Sequence, residues 1–234
     1  MNFGGLQKQS LIDFPGKISC VLFTSGCNFT CPYCHNPDLA RGRIKQTSAL
    51  KEERIYDFLE KRKGFLDGVV ISGGEPTLHR DLSTLCRNIR KMGYPIKLDT
   101  NGSRPEVVER LIQDRSVDYI AMDIKTDPSA YPREISCNEK TTNILESIAL
   151  VMAADISYEF RTTCVKPFVD RPIVDKISHA IQGAACYVLQ QFKNENILSP
   201  EYFRNTPCHY SRSDLTEFQA IAAPWVETCI VRYF

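Results

Sequence analysis

The sequence has almost no net charge and no long apolar run, and these two absences exclude several classes of protein. Its 234 residues include 29 Lys and Arg against 28 Asp and Glu, a formal net charge of +1. This balance gives no electrostatic reason to expect nucleic acid or a membrane surface as a partner. No apolar stretch approaches the roughly 20 residues of a membrane span, and the N-terminus lacks the pattern of a signal peptide. We therefore expect a cytoplasmic protein.

The sequence also lacks internal repeats, low-complexity segments and any obvious interdomain linker. A chain of this length suits one globular domain with a sizeable hydrophobic core. We predict a single domain over residues 1–234, with its core at about 16–192 and a tail over 193–234 that packs onto it.

Ten cysteines are present, and disulfides explain them poorly. Small secreted proteins that depend on disulfides are shorter and richer in turns. In a reducing compartment, clustered cysteines more often bind metal, whereas scattered ones are usually small buried hydrophobic residues. The clustered set here is Cys27, Cys31 and Cys34, and the scattered set is Cys20, Cys86, Cys137, Cys164, Cys186, Cys208 and Cys229.

Short apolar or β-branched runs alternate with longer amphipathic stretches from residue 18 to about 191. This alternation predicts parallel β/α units, arranged either as an open doubly wound sheet or as an incomplete barrel. The predicted strands are ISCVLF (18–23), GVVIS (68–72), IKLDT (96–100), YIAMDI (119–124), YEFRTTCV (158–165) and CYVLQQF (186–192). The predicted helices are 49–63, 82–93, 105–114, 141–154, 171–182 and, in the tail, 213–227.

Four polar or glycine-rich motifs lie at the ends of the first four predicted strands. In chain order they are the cysteine loop, Gly73-Gly74-Glu75-Pro76, Asp99-Thr100-Asn101-Gly102 and Asp123-Ile124-Lys125. Ligands bind at the carboxyl ends of parallel strands in both architectures, so the motifs should meet at one rim. The two aspartates would repel each other there unless a cation lies between them or one is protonated.

The spacing C-x₃-C-x₂-C supplies three thiols within eight residues and no fourth. A structural zinc site needs four ligands, so zinc would require His35 or a distant thiol such as Cys208. His35 directly follows Cys34, a poor spacing for joining the same tetrahedron. A [4Fe–4S] cluster on three thiolates would instead keep one iron open to a substrate. The spacing favours this open cluster over zinc.

With Tyr33 before the third cysteine, the loop resembles the signature of the radical S-adenosylmethionine (SAM) superfamily. The resemblance implies a partial (βα)₆ barrel, one [4Fe–4S] cluster on Cys27, Cys31 and Cys34, and SAM as the ligand of the open iron. It further implies that Gly73, Gly74 and Glu75 bind the amino group of SAM, and that Tyr33 and His35 lie beside the cofactors.

The later motifs resemble those of glycyl-radical-enzyme activating enzymes such as pyruvate formate-lyase activating enzyme. There, segments similar to 99–102 and 123–125, including Lys125, lie beside SAM, and the two aspartates hold a monovalent cation. Asn101 matches the ribose side of SAM, Arg161 matches an arginine near SAM, and Lys193 matches more loosely a residue near the adenosine. The stretch 5–29 is similar to anaerobic ribonucleoside-triphosphate reductase activating proteins.

This resemblance implies that a reduced cluster cleaves SAM and that the resulting radical takes a hydrogen atom from one glycine of a partner glycyl radical enzyme. The electron would come from a flavodoxin or a ferredoxin-type donor. Two alternatives stay open, a radical SAM enzyme that acts on a small molecule and a zinc-binding module without catalysis. The short chain has no evident domain to cover a small substrate, which favours a large partner.

Overall fold

The computed structural model describes residues 1–43, 50–136 and 140–233. Its centre is one eight-stranded sheet, whose strand order follows the chain from first to last. The strands are β1 Phe3–Ser10, β2 Ser19–Thr24, β3 Gly68–Gly73, β4 Ile96–Thr100, β5 Tyr119–Asp123, β6 Ser157–Cys164, β7 Tyr187–Gln191 and β8 Cys229–Arg232.

The sheet has the topology of a barrel that has not closed. Strand β1 is antiparallel to β2, and each strand from β2 to β8 is parallel to the next. A doubly wound sheet reverses its strand order at a switch point, and no reversal occurs here. Within the described residues β1 and β8 form no ladder with each other. The prediction of an incomplete α/β barrel is confirmed, and the doubly wound alternative is wrong.

Helices connect the parallel strands where the amphipathic patterns predicted them. The helix predicted over 82–93 is observed at Leu82–Lys91 and stops before Gly93, whose φ of +92° favours glycine. The helix predicted over 49–63 is observed at Glu52–Glu60, and residue 49 lies outside the described residues. The helices are α1 Pro37–Ala40, α2 Glu52–Glu60, α3 Leu82–Lys91, α4 Pro105–Gln113, α5 Thr141–Ala153, α6 Arg171–Ala180 and α7 Arg212–Ala222. None of them is long and apolar enough to cross a membrane.

Strands β1 and β8 were not predicted from the sequence. The FGGLQKQS segment of β1 has two glycines and a polar half, and only its first and last residues are buried. Strand β8 has four residues and lies at the edge of the sheet. Neither segment has the apolar alternation of a half-buried strand, so pairing with a neighbouring strand must decide its conformation.

The N-terminal end of the barrel interior is filled by apolar side chains. Val21 and Val70 are register partners on β2 and β3, and Phe14 from the β1–β2 connection packs against both. The ring of Phe14 also meets that of Tyr119 edge to face at 5.9 Å. With this end filled, the carboxyl ends of the strands remain for a ligand site.

The scattered cysteines lie mainly in the hydrophobic core, as predicted. Cys20, Cys86 and Cys164 are fully buried, and Cys208 is 5% exposed. Cys186 and Cys229 are half-buried, and all six are free thiols. Burial raises the pKa of Cys20, Cys86 and Cys164 to about 12, which keeps these thiols protonated and inert. Cys137 lies outside the described residues.

Candidate functional site

A polar pocket opens at the carboxyl ends of the parallel strands. With the exception of Lys193, the residues that the sequence matched to cofactor binding line this one pocket. These thirteen residues are Cys27, Cys31, Tyr33, Cys34, His35, Gly73, Gly74, Glu75, Asp99, Asn101, Asp123, Lys125 and Arg161. They come from five separate segments of chain, so their convergence follows from the parallel sheet rather than from proximity in sequence.

The cysteine loop is held from two sides by backbone hydrogen bonds. At its start, the Cys27 N–H donates to the Ala40 carbonyl at 3.1 Å, and the next helix thereby closes the loop. At its end, the Leu198 N–H donates to the Cys34 carbonyl at 2.9 Å. Residues of the tail therefore fix the loop that carries the three thiols.

The three clustered thiols are free, and they form one wall of the pocket. Cys31 is 7% exposed, whereas Cys27 and Cys34 are half-buried. Burial, followed by the negative charge of Glu75, raises the pKa of Cys27 to about 12, and burial raises that of Cys31 to about 11. A metal ligand must be a thiolate, so cluster assembly has to displace protons from these groups.

Neither of the fourth ligands considered for zinc is well placed. The Nε2 atom of His35 lies 2.6 Å from the Lys193 carbonyl oxygen, so it is already hydrogen-bonded. Cys208 does not line the pocket. Throughout the described ranges, no three His, Cys, Asp or Glu side chains surround a single-ion site. Three thiols along one wall suit a four-iron cluster, which is bound at several irons and does not need its ligands to meet at one point.

Gly73 and Gly74 are required by close backbone packing against the end of β2 and the start of the loop that follows it. A Cβ atom on Gly73 would lie 2.3 Å from the Thr24 nitrogen, and one on Gly74 would lie 2.0 Å from the Gly26 oxygen. Gly73 also has a φ of +118°. In return, the Gly74 N–H donates to the Thr24 carbonyl at 2.9 Å. The two glycines therefore position two walls of the pocket relative to each other.

Glu75 is buried, and its carboxylate connects two of the motifs. Its Oε1 accepts the Thr77 N–H at 3.0 Å and the Thr100 hydroxyl at 2.8 Å. Its Oε2 accepts the Asn101 N–H at 2.7 Å. Burial raises the pKa of Glu75, although these hydrogen bonds oppose the increase. Much of the acceptor capacity of this glutamate is therefore used inside the protein.

Asn101 brings the third motif against the first cysteine. Its Nδ2 donates to the Asn28 side-chain oxygen at 3.0 Å and lies 3.9 Å from the Cys27 sulfur. Its Oδ1 accepts the Ser103 N–H at 3.0 Å, which fixes the orientation of the amide. The donor side of this amide consequently points to the cysteine wall.

A row of alternating charges crosses the floor of the pocket. Arg161 donates from Nε to Asp123 Oδ1 at 2.7 Å and from Nη1 to Asp99 Oδ1 at 3.4 Å. Lys125 lies at the far end of the row, 3.0 Å from Asp123 Oδ2. At the near end, Lys97 contacts Asp99. The repulsion expected between the two aspartates is therefore relieved by side chains of this chain.

The charge row keeps both aspartates ionised. Burial alone would raise the pKa of Asp123, but Arg161 and then Lys125 outweigh it and hold this pKa below its usual value. For Asp99, burial is likewise outweighed by Arg161 and then Lys97, so its pKa is also lowered. Protonation of one aspartate, the second way to relieve their repulsion, is thereby disfavoured.

Lys193 is not part of the pocket lining, and its side chain forms an exposed ion pair with Glu195 at 2.8 Å. Its link to the site is the backbone carbonyl that contacts His35. This placement does not support the loose match of the Lys193 side chain to a residue near the adenosine.

Besides Asn36, which follows His35, and Thr100 of the third motif, five further residues line the pocket, and sequence reasoning missed these five. They are Phe29, Ser72, Thr163, Gln190 and Gln191. Two signals could have found most of them. Ser72, Gln190 and Gln191 are polar residues at the ends of predicted strands, and Thr163 lies two positions after Arg161, on the same face of its strand.

Comparison with known proteins gives a consistent result at the level of sequence. Residues 21–179 match the Radical SAM superfamily. A relative from Methanocaldococcus jannaschii, named "Putative glycyl-radical enzyme activating enzyme", is 34% identical and covers 97% of this chain and 94% of its own length. The pyruvate formate-lyase-activating enzyme of Listeria monocytogenes is 33% identical and covers 51% of each chain.

Solved structures share the fold. Streptococcus suis SuiB, crystallised with the precursor peptide SuiA, superposes with a TM-score of 0.68 over 91% of this chain at 13% identity. The match covers 48% of the SuiB chain, so the present chain spans about half of that longer protein. At this level of identity the likeness concerns architecture alone.

Proposed function

The chain belongs to the radical SAM superfamily, as a glycyl-radical-enzyme activating enzyme, and we propose that its pocket binds one [4Fe–4S] cluster and SAM side by side. A single observation carries this assignment. Three free thiols line the same pocket as the polar side chains of the other three motifs. When bound and reduced, the cluster supplies the electron that cleaves SAM to methionine and a 5′-deoxyadenosyl radical.

Cys27, Cys31 and Cys34 would hold the cluster. The donor set fits it, because thiolates are the usual ligands of iron–sulfur clusters and a fourth cysteine is absent from the described pocket lining. Fixed by the helix α1 and by the tail, the loop would present the thiols without further ordering. The nearby amide of Asn101 can donate a hydrogen bond toward the sulfur of Cys27.

The polar side chains of the other walls would orient SAM. Carbonyl oxygens around Gly73 and Gly74, with the remaining acceptor capacity of Glu75, suit the ammonium of the methionine part. The positive charges of Arg161 and Lys125 suit its carboxylate. Tyr33, His35 and Asn101 also line the pocket, and the adenosine would lie beside them. Asp99 and Asp123 would act indirectly, because their ion pairs hold the side chains of Arg161 and Lys125 in place.

We assign no general acid or base to the reaction, because hydrogen-atom abstraction requires none. The role of the protein is to hold the reacting groups close together and to limit access of water to the radical. The buried hydrophobic contacts of Tyr33 with Phe168 and Phe192 close one side of the cysteine wall.

The proposed substrate is one glycine of a glycyl radical enzyme, with anaerobic ribonucleoside-triphosphate reductase as the first candidate and a flavodoxin or ferredoxin-type protein as electron donor. The stretch 5–29, which suggested this partner, reaches the pocket only through Cys27 and Phe29 at its end. Two other residues of that stretch, Ser10 at the end of β1 and Asp13 in the β1–β2 connection, contact each other at the opposite end of the barrel. That segment therefore supports membership of a subgroup rather than a mode of partner recognition.

Anaerobic reconstitution with iron and sulfide tests the proposed cofactors. The protein should acquire about four irons per chain and the broad visible absorbance of a [4Fe–4S] cluster, and dithionite should then convert SAM slowly to 5′-deoxyadenosine. Stoichiometric zinc without iron or sulfide, and no cleavage of SAM, would support the zinc-binding alternative instead.

A further inference from the structure

Lys97 is a charged residue at a fully buried position. It lies on β4 and is 1% exposed, among the largest fully buried side chains of the protein. Its register partners on the neighbouring strands are Val70 and Tyr119, both in the apolar layer that fills the N-terminal end of the barrel. Burial of an ammonium group is costly unless the charge is paired.

The ammonium of Lys97 is paired with a carboxylate of the pocket. It contacts Asp99 Oδ1, two residues further along the same strand and on the same face. The Lys97 ammonium also lies 5.8 Å from the centre of the Tyr119 ring, within the range of a cation–π interaction. The aliphatic stem thus lies in the apolar layer while the charge reaches the floor of the pocket.

Charge counting shows what the floor of the pocket can accept. Three cations, Lys97, Arg161 and Lys125, stand against two carboxylates, Asp99 and Asp123. The row therefore has a net charge of +1. A neighbouring carboxylate, Glu159, does not change the balance, because Arg232 pairs with it at 2.7 Å. An excess of one positive charge suits an anionic group of a ligand and repels a further cation.

The monovalent cation that the family resemblance implies at Asp99 and Asp123 therefore does not fit these residues. We propose that the ammonium of Lys97 is the permanent, built-in cation of Asp99, and that this activase orients SAM without a bound metal cation. The proposal rests on the proposed function, because it concerns the same pocket. It makes Lys97 a positioning residue that acts on the ligand through Asp99 and Arg161.

The test compares potassium chloride with tetramethylammonium chloride at equal ionic strength, using the reconstituted protein. Tetramethylammonium is too large to replace potassium at an inner carboxylate site. For the unmodified protein, both the SAM dissociation constant and the thermal unfolding midpoint should be the same in the two salts, the former within twofold. If potassium bound a site that exists only in the folded protein, the unfolding midpoint would be higher in potassium chloride than in tetramethylammonium chloride.

The variant Lys97→Met removes the ammonium group and keeps an unbranched apolar side chain one heavy atom shorter. Its affinity for SAM should fall at least tenfold in tetramethylammonium and should recover largely in potassium, which can then occupy the vacated place beside Asp99. Lys176→Met is the matched control, because Lys176 pairs with Asp127 at 2.7 Å on the surface. That variant should bind SAM like the unmodified protein in both salts.

Three results would overturn the proposal. One is a tenfold loss of SAM affinity by the unmodified protein in tetramethylammonium. Another is a Lys97→Met protein whose affinity for SAM equals that of the unmodified protein in both salts. The third is a Lys97→Met protein whose affinity for SAM is reduced equally in both salts. If the variant fails to fold, the comparison on the unmodified protein still decides the question. If the unmodified protein bound SAM in neither salt, the proposed function would be wrong. The unfolding midpoints in the two salts would still show whether potassium binds to the protein.

Discussion

The backbone N–H of Asn101 donates to the buried carboxylate of Glu75 at 2.7 Å. This hydrogen bond connects the loop after β3 to the loop after β4, two segments that are 26 residues apart in sequence. The other oxygen of Glu75 accepts from Thr77, in the loop after β3, and from Thr100, the last residue of β4. The glutamate is therefore a structural link as well as a candidate SAM contact.

Replacing Glu75 by Gln should lower both stability and SAM affinity. One oxygen becomes an NH₂ group, so a buried donor loses its acceptor, which costs about 1–3 kcal/mol. Urea unfolding measures the first effect and equilibrium binding the second, and iron content should stay near that of the unmodified protein. Glu53→Gln, at an exposed position of helix α2, is the control and should change neither. Unchanged stability in Glu75→Gln would show that these hydrogen bonds do not contribute to the free energy of unfolding.

Alanine at Cys27, Cys31 or Cys34 should remove the cluster. Each variant should fall from about four irons per chain to near zero on reconstitution and should lose SAM cleavage, because an iron loses its protein ligand. Cys86→Ala and Cys164→Ala are matched controls from the fully buried set and should keep normal iron content. Full iron and activity in a protein without Cys31 would contradict the ligand assignment.

Arg161→Met should destabilise the protein strongly, because Asp99 and Asp123 would lose the guanidinium between them. Removal of one partner from a buried ion pair typically costs about 3–5 kcal/mol. Arg171→Met removes an arginine from an exposed ion pair with Glu217 and should cost less than about 1 kcal/mol. Equal losses in the two variants, measured by urea unfolding, would show that the central arginine is not required.

The stability difference between the unmodified protein and Asp123→Asn should depend on pH in a defined direction. The folded-state pKa of Asp123 is lowered, so its ion pairs stabilise the fold above the unfolded pKa of about 3.9 and lose that contribution as the pH falls toward the folded pKa. Urea unfolding should give the same difference at pH 7 and pH 5, and a smaller one at pH 3. A difference that grew as the pH fell would contradict the sign of the shift.

Much of the site could be predicted from sequence because parallel strands direct their carboxyl ends to one edge. The motifs at Cys27, Gly73, Asp99 and Asp123 needed only the strand assignments to be placed together. The family resemblance assigns Gly73 and Gly74 to the binding of SAM. Their close approach to Thr24 and Gly26 gives a second reason that no local pattern could supply.

Contacts that cross long stretches of sequence could not be predicted. Glu159 and Arg232 are 73 residues apart, and their ion pair depends on β8 joining the sheet beside β7. Lys97 carried a misleading local signal, since a lysine in a strand is usually exposed. Only the alternation of side chains, which places it on the same face as Asp99, pointed to the interior.

We propose that the radical made in this pocket takes a hydrogen atom from a partner protein. The most direct test uses the reduced, reconstituted enzyme with SAM and anaerobic ribonucleoside-triphosphate reductase, or another glycyl radical enzyme, containing α-deuterated glycine. We predict a glycyl radical signal by electron paramagnetic resonance and deuterium in the 5′-deoxyadenosine produced. Incorporation of hydrogen from a small metabolite, with turnover in the absence of any partner protein, would contradict the claim.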